Sequence, residues 1–175
     1  MRPQLNGGTL GRPKRMAGQT LRFSTIDLDQ HAAIAVKFRR DSYVCSFGSD
    51  KALGDTDDYL EWLRGRIAKF PDGHVHVWQG DAIVGQLEMI IQHVQTLRGY
   101  VNLFYLVAQV RGLGLGDALH NYAENFMRVG GAQSVRLCVS PSNVRGLAYY
   151  RKHGWHDHGP NPKDGSVHIM QLDLH

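Results

Sequence analysis

The order of apolar and polar residues along the chain predicts helices and strands that build one α/β domain. Helical spacing or a helix-cap sequence marks four helices, at about 30–43, 57–69, 115–129 and 143–153. Alternating or β-prone runs mark strands at about 21–26, 74–79, 83–92, 100–107, 134–139 and 168–174, with polar loops at 46–56 and 95–99. A helix separates the strands at 100–107 and 134–139, so a right-handed crossover should make them parallel. We therefore expect a mixed sheet, mostly antiparallel, with flanking helices.

The charge of the chain is unevenly distributed. The net charge is +4, and residues 1–18 hold Arg2, Arg12, Lys14 and Arg15 without any acidic residue. These four residues account for the whole excess over the 16 acids, so the remainder is balanced. The same stretch is rich in glycine and proline, which predicts a flexible basic tail at 1–18 before a folded domain at 19–175. A solvated tail is favoured over a nucleic-acid-binding arm, and Met16 offers an alternative start.

Cysteine, histidine and hydropathy patterns exclude several classes of protein. The two cysteines, Cys45 and Cys138, form no CxxC pair, so we expect buried, reduced thiols in a cytoplasmic protein. No apolar run approaches the roughly 20 residues of a membrane span, and no secretory leader is visible. The pairs at 74–76 and 156–158 place two histidines on one strand face each, but no further ligand completes a tetrahedral site. No metal is expected.

The glycine-rich turn after the strand at 100–107 is the main candidate for ligand binding. It reads Arg111-Gly112-Leu113-Gly114-Leu115-Gly116-Asp117 and leads directly into a helix. Backbone amides at such a helix start favour an anion, usually a phosphate. The turn lacks the GK[ST] of a Walker loop, and neither register fits the GxGxxG of a dinucleotide site. Taken alone, it is also compatible with a turn that binds no ligand.

A second segment narrows these alternatives. Arg111-x-x-Gly114-x-Gly116 matches the pyrophosphate motif R/Q-x-x-G-x-G/A, and Gln109-x-x-Gly112-x-Gly114 matches it in another register. About 30 residues later, Asn143 is followed seven residues on by Tyr150 and then by Gly154-Trp155. Together the two segments resemble the acetyl-CoA-dependent N-acetyltransferase superfamily known as GNAT, over roughly residues 100–156.

The resemblance implies a fold, a co-substrate and a set of binding residues. The sheet should splay apart between its two parallel strands, where the pantetheine arm of acetyl-CoA would pair with the strand before the turn. The residues implied for the coenzyme are Leu106, Val107, Arg111, Gly112, Leu113, Gly114, Leu115, Gly116, Asp117, Asn143, Gly146 and Tyr150. The reaction implied is acetyl transfer to a primary amine by direct attack in a ternary complex, and homodimers are common in the family.

The catalytic groups follow partly from the resemblance and partly from chemistry. Tyr150 matches the tyrosine that protonates the leaving thiolate, and a phenol can do so. Some relatives use a Glu as the general base at the position where this chain has Asn102, and the amide of Asn102 cannot act as a base. Glu88, on the neighbouring strand, could act through water, or it could be a solvent-facing residue of a half-exposed strand. A domain that binds acyl-CoA as a sensor is the alternative function, and the amine acceptor cannot be read from the region 30–70.

Overall fold

The computed structural model of the protein describes residues 20–94 and 96–175. The predicted tail at 1–18 lies outside the described residues. The helices and strands are β1 (Leu21–Thr25), α1 (Leu28–Phe47), α2 (Thr56–Lys69), β2 (His74–Gln79), β3 (Ala82–Val94), β4 (Thr96–Leu106), α3 (Leu115–Val129), β5 (Ser134–Val139), α4 (Val144–Lys152), β6 (His156–Asn161) and β7 (Asp164–Asp173). They form a single α/β domain, and none of the described helices is long and apolar enough to cross a membrane.

Seven strands form one open mixed sheet in the order β1-β2-β3-β4-β5-β7-β6. All neighbouring pairs are antiparallel except β4 and β5, which are parallel as predicted. The parallel ladder runs only from Arg98 opposite Ser134 to Val101 opposite Leu137. Beyond Val101 the two strands continue without pairing to each other. The sheet is therefore splayed at this point, and the expected fold class is confirmed.

The two faces of the sheet have different cores. On one face, α3 and α4 pack Leu119, Met127 and Leu147 against apolar strand residues such as Leu87 and Met89. The face that carries Glu88 and Leu103 is covered by α1 and α2, whose cores include Phe38 of α1 and Leu63 of α2. Side chains alternate between the faces of a strand, so β3 presents Leu87 and Met89 to α3 and turns Gln86 and Glu88 to the other side.

Several predicted boundaries were wrong. The helix predicted at 30–43 begins at Leu28, where Asp27 caps the amides of Asp29 and Gln30, and it extends to Phe47. The polar stretch at 96–99 belongs to β4, because Gly99 and Arg98 pair with Ile91 and Gln92 of β3. Cross-strand pairing here overrides the polar composition.

The expectation of two buried cysteines was also wrong for one of them. Cys45 is exposed on the last turns of α1, and Cys138 on β5 is partly buried. The helix continues past the predicted end at 43 to Phe47, and the Cys45 thiol lies 3.5 Å from Nη1 of Arg111.

Candidate functional site

The glycine-rich turn leaves the start of α3 without a side-chain cap. Gly114 occupies the N-cap position in a left-handed conformation with φ of 87°, and no side chain of residues 20–94 or 96–175 bonds to the first amides of α3. Gly112 is also left-handed, with φ of 78°. Residues other than glycine adopt this region at a cost, so the turn depends on both glycines. The result is a set of uncapped amides at the positive end of a helix, as an anion site requires.

Side chains of the turn are used mainly to hold its shape. Arg111 donates from Nε to the carbonyl of Leu106 at 2.7 Å, and its guanidinium lies 5.2 Å from the ring centre of Tyr105. Val107 donates its N–H to Val84 and accepts from Val110, so both of its backbone groups have partners inside the protein. The side chain of Leu113 points to solvent and is 67 % exposed. A contact from Leu113 would therefore come from its backbone.

The start of α4 is set by Asn143. Asn143 Oδ1 accepts from the amide of Gly146 at 2.9 Å, which caps the helix. A Cβ at position 146 would lie 2.7 Å from Asn143 Nδ2, so the glycine allows this cap. Similarly, a Cβ on Gly116 would lie 2.7 Å from the ring of Tyr149, whose hydroxyl donates to the Gly116 carbonyl at 2.6 Å. The close contact at Gly116 thus allows the start of α3 to pack against α4.

These elements enclose a groove of about 400 Å³, which we call the loop groove. Of the residues implied for coenzyme binding, all except Val107, Leu113 and Leu115 line it. The loop groove is also lined by three cationic side chains, Arg111, Arg145 and Lys152. Its acid, Asp117, lies 3.1 Å from Lys152 Nζ, and this hydrogen bond is the main cause that lowers the pKa of Asp117. The groove is therefore suited to a polyanion. The individual coenzyme contacts stay predictions.

A second cavity, of about 570 Å³, continues from the loop groove and is called here the inner cavity. It lies where β4 and β5 splay, under the last turns of α1 and beside α2. Ser42, Ser46, Phe104, Asn143 and Tyr150 line both spaces. The two predicted catalytic residues, Tyr150 and Glu88, therefore face one continuous space.

Tyr150 stands at the junction of the two cavities. Its ring packs edge-on against Phe104, with ring centres 6.4 Å apart, and lies 5.6 Å from the ring of Trp155. Within the described part of the chain, no group bonds to its hydroxyl. Burial raises the pKa of the Tyr150 phenol, so the hydroxyl keeps its proton at neutral pH. Tyr150 is thus a fixed ring with a protonated hydroxyl available to a ligand.

Glu88 is buried, with 3 % of its surface exposed, so the interpretation as a solvent-facing residue was wrong. Tyr59 Oη donates to Glu88 Oε1 at 2.5 Å, and Gln86 Nε2 donates to the same oxygen at 2.7 Å. Among the residues that the structure describes, none bonds to Oε2, although the side chain lines the inner cavity. Burial raises the pKa of Glu88, and the two hydrogen bonds oppose part of that rise. Glu88 therefore offers one oxygen to the cavity while the other is held.

A buried chain of polar groups orients Glu88. His76 lies opposite Gln86 in the β2–β3 ladder, and its Nε2 is 3.0 Å from Gln86 Oε1. An amide oxygen only accepts, so His76 donates, and the amide nitrogen of Gln86 is turned toward Glu88 and Tyr59. Burial lowers the pKa of His76 to about 4, so it is neutral at pH 7. This chain holds Glu88 through neutral groups, and the charge of Arg39, which stacks on Tyr59, also lowers the pKa of Glu88.

Sequence reasoning missed Tyr59, Gln86 and His76 as parts of the site. Helical spacing places Tyr59 in the predicted helix at 57–69 and does not mark it as a site residue. The alternation of β2 and β3 could have placed His76, Gln86 and Glu88 on one face, if the hairpin register had been known. The structure also places Asn102 in a bulge of β4, between the pairs of Val101 with Met89 and Leu103 with Glu88. Asn102 is exposed and lines the inner cavity.

Comparison with known families accounts for this arrangement. Residues 37–155 match the model of the acetyltransferase (GNAT) family. The chain belongs to this family. The matched segment begins in α1 and ends at Trp155, so it includes all the residues that line the loop groove and the inner cavity. The protein is therefore an acetyltransferase by family. No curated protein sequence matches the chain significantly.

Solved structures share the fold at low sequence identity. The chain is similar to one chain of the NatC complex bound to Gag peptide and CoA, with TM-score 0.70 and 15 % identity over 89 % of this chain and 99 % of that one. It is also similar to the PaiA N-acetyltransferase from Thermoplasma acidophilum in complex with coenzyme A (TM-score 0.67, 18 % identity, 88 % and 99 % covered). The third is spermidine N-acetyltransferase from Vibrio cholerae in complex with CoA and spermine (TM-score 0.69, 14 % identity, 88 % and 95 % covered).

Proposed function

We propose that this acetyltransferase moves the acetyl group of acetyl-CoA to the nitrogen of a primary amine in a ternary complex. One observation carries the proposal: a buried carboxylate, Glu88, presents an unpartnered oxygen to the cavity that continues from the loop groove past Tyr150. Membership of the GNAT family supports acetyl transfer, and the coenzyme A bound in similar folds supports this co-substrate.

The loop groove fits coenzyme A by its chemistry. The uncapped amides at the start of α3 suit the pyrophosphate, and Arg145 and Lys152 add positive charge. Beyond Val101, the edge of β4 that faces β5 has no ladder partner among the described residues, so its backbone groups suit the amides of the pantetheine arm. When bound, acetyl-CoA supplies an activated acyl group with a thiolate leaving group.

Glu88 is the proposed acceptor of the amine proton. A primary amine attacks only as the free base, and its nitrogen must lose a further proton once the new bond forms. Oε2 of Glu88 faces the cavity and can take that proton directly or through one water. The raised pKa of Glu88 makes it a better proton acceptor than an exposed carboxylate, because base strength increases with the pKa of the conjugate acid.

Tyr150 is the proposed proton donor to the sulfur. As the C–N bond forms and the C–S bond breaks, the departing thiolate takes the phenol proton. Return of a proton from Glu88 to Tyr150 through solvent restores both residues. The sum is one amide and one thiol from one free amine and one thioester, so atoms and charges balance.

The test pairs binding with turnover in the wild-type protein. Acetyl-CoA should raise the melting temperature, and primary amines should increase the release of coenzyme A thiol above an amine-free control, which also corrects for the exposed Cys45. Mass spectrometry should find the acetyl group on the amine. Stabilisation by acetyl-CoA without thiol release on any amine would instead support an acyl-CoA sensor.

A further inference from the structure

The wall of the inner cavity that α2 provides is acidic and aromatic. Asp55, Asp58, Tyr59 and Trp62 all line the cavity, and their spacing of three, four and seven residues places them on one face of the start of α2. Asp55 is partly committed, because its Oδ1 caps the amides of Asp57 and Asp58 at 2.8 and 3.1 Å. The Asp58 carboxylate has no hydrogen bond or ion pair to any residue that the structure describes. Asp58 is therefore available to a ligand.

Glu88 adds a second, buried carboxylate to this acidic wall. Its Oε2 has no partner within the described residues, whereas Oε1 accepts hydrogen bonds from both Tyr59 and Gln86. Tyr59 belongs to α2, so the hydrogen bond that holds Glu88 also ties it to the helix that carries Asp58. A bound molecule that donated to Glu88 would extend along this helix face toward Asp58.

Among the described residues that line the inner cavity, Arg39 is the cation, and it keeps its charge beside Tyr59 and Glu88. The Arg39 guanidinium carbon lies 4.1 Å from the ring centre of Tyr59, and Nη2 donates to the carbonyl of Leu53 at 3.3 Å. Both contacts hold Arg39 against the wall. The other cations near the site, Arg111, Arg145 and Lys152, line the loop groove at the opposite end. The combined space is thus cationic at the glycine turn and acidic along α2.

The surface outside the cavity limits how far a cationic molecule can extend. Beyond Asp58 and Trp62, an open groove continues along α2 and is lined by Glu61, Gly65, Arg66 and Lys69. Arg66 stands over the Trp62 ring at 5.3 Å. Two cations and one acid, Glu61, therefore follow after the acidic wall, so this groove is less favourable to a further ammonium group than the wall is.

We propose that the acceptor is a short aliphatic diamine. Its reacting amine lies at Glu88 Oε2, and its second ammonium group lies against Asp58, with Asp55 and the Trp62 ring beside it. This inference rests on the proposed acetyl transfer and specifies its substrate class. The second ammonium group then lies on the cavity side of Arg66 and Lys69. A longer polyamine would carry a further ammonium group toward these two cations, so it is a poorer acceptor than a diamine.

Three acceptors of equal length separate the possibilities: 1,4-diaminobutane, 1-aminobutane and 4-aminobutanoate carry a positive, neutral or negative second end. With acetyl-CoA saturating, we expect kcat/KM for the diamine to exceed that of the monoamine by about five- to tenfold, and the aminobutanoate to be poorest. The preference should decrease at high salt, because Asp58 is exposed. Equal values for the diamine and monoamine, or a preference for the aminobutanoate, would overturn the inference while leaving amine acetylation intact.

Asp58→Asn tests the named residue, with Asp57→Asn as the matched control. Asp57 is the adjacent acid in the first turn of α2, and it does not line the cavity as Asp58 does. Asp58→Asn should lower the ratio of diamine to monoamine kcat/KM to about twofold or less, and Asp57→Asn should keep it. Equal effects of the two variants would show a general charge effect and contradict a site at Asp58. If none of the three acceptors releases thiol but another primary amine does, the diamine inference fails and acetyl transfer to amines stands; if no amine releases thiol, both fail.

Discussion

The loop groove and the inner cavity are built in different ways. The groove is formed mainly by consecutive backbone at residues 111–117 and by the start of α4. The left-handed glycines, Gly112 and Gly114, have a local reason, whereas Gly116 is required by its contact with Tyr149 of α4. Glu88, by contrast, depends on Tyr59 of α2 and on Gln86 and His76 of the β2–β3 hairpin. The comparison teaches that the backbone of the loop groove is specified largely by local sequence, whereas the position of Glu88 is specified by tertiary packing.

Glu88→Gln should produce the largest effect and should act on the inner cavity alone. The amide keeps an oxygen that accepts from Tyr59 and Gln86 but cannot take a proton, so kcat/KM for the amine should decrease by about 10²- to 10⁴-fold. The melting-temperature shift caused by acetyl-CoA should stay the same, because the loop groove is unchanged. Asp81→Asn, which removes an exposed carboxylate at the turn of the same hairpin, is the control and should have no effect on turnover. Full activity of Glu88→Gln would remove Glu88 from the mechanism.

The same variant predicts how stability depends on pH. The pKa of Glu88 is raised in the folded state above its ordinary value of 4.5. Its favourable contribution is therefore complete below pH 4.5 and is lost as the pH rises through the raised folded-state pKa. Glu88→Gln lacks this loss, so it should be more stable than the wild type at neutral pH, with a smaller difference at acidic pH. Thermal denaturation at several pH values measures this, and a difference that is largest in acid would contradict it.

Tyr150→Phe tests the junction between the two regions. Loss of the phenol proton should lower kcat by about 10²-fold with little change in the KM for acetyl-CoA, because the ring and its packing on Phe104 remain. Tyr149→Phe is the matched control on the same helix. It removes the hydrogen bond to Gly116 and should cost about 1 kcal/mol of stability with kcat largely retained. Reversed effects of the two variants would assign the acid to Tyr149.

The sequence predicted what is local and missed what is tertiary. The four helices and the glycine turn follow from patterns within about 20 residues, and the parallel arrangement of β4 and β5 follows from the order strand, helix, strand over residues 100–139. The polar side chains of β3 could not be oriented in advance, because both faces of this central strand are buried and burial does not distinguish them. The start of β4 at Thr96 and the bulge at Asn102 depend on pairing with β3, which the composition of 95–99 does not reveal.

Gly116→Ala should affect the loop groove through packing. The added Cβ would lie 2.7 Å from the Tyr149 ring, so α3 and α4 must move apart, at a cost of about 1–3 kcal/mol in the free energy of unfolding. The dissociation constant for acetyl-CoA should rise, because the uncapped amides of α3 shift. Gly165→Ala, in the turn region of β7, meets no atom within 4 Å and is the control. Calorimetry measures both quantities, and wild-type stability and binding for Gly116→Ala would contradict the packing role.

Tyr59→Phe should have the smallest effect on maximal activity and the most specific one on its pH dependence. The hydrogen bond from Tyr59 lowers the pKa of Glu88, so its loss raises that pKa further. The ascending limb of kcat/KM against pH, which requires ionised Glu88, should therefore move to higher pH while the plateau changes little. Measurement with one acceptor cancels the titration of the amine itself. Tyr43→Phe removes another phenol that lines the inner cavity, without a hydrogen bond to Glu88, and should leave the limb in place. An unmoved limb in Tyr59→Phe would show that Glu88 does not carry the titration, and an equal displacement in Tyr43→Phe would assign the shift to the cavity as a whole.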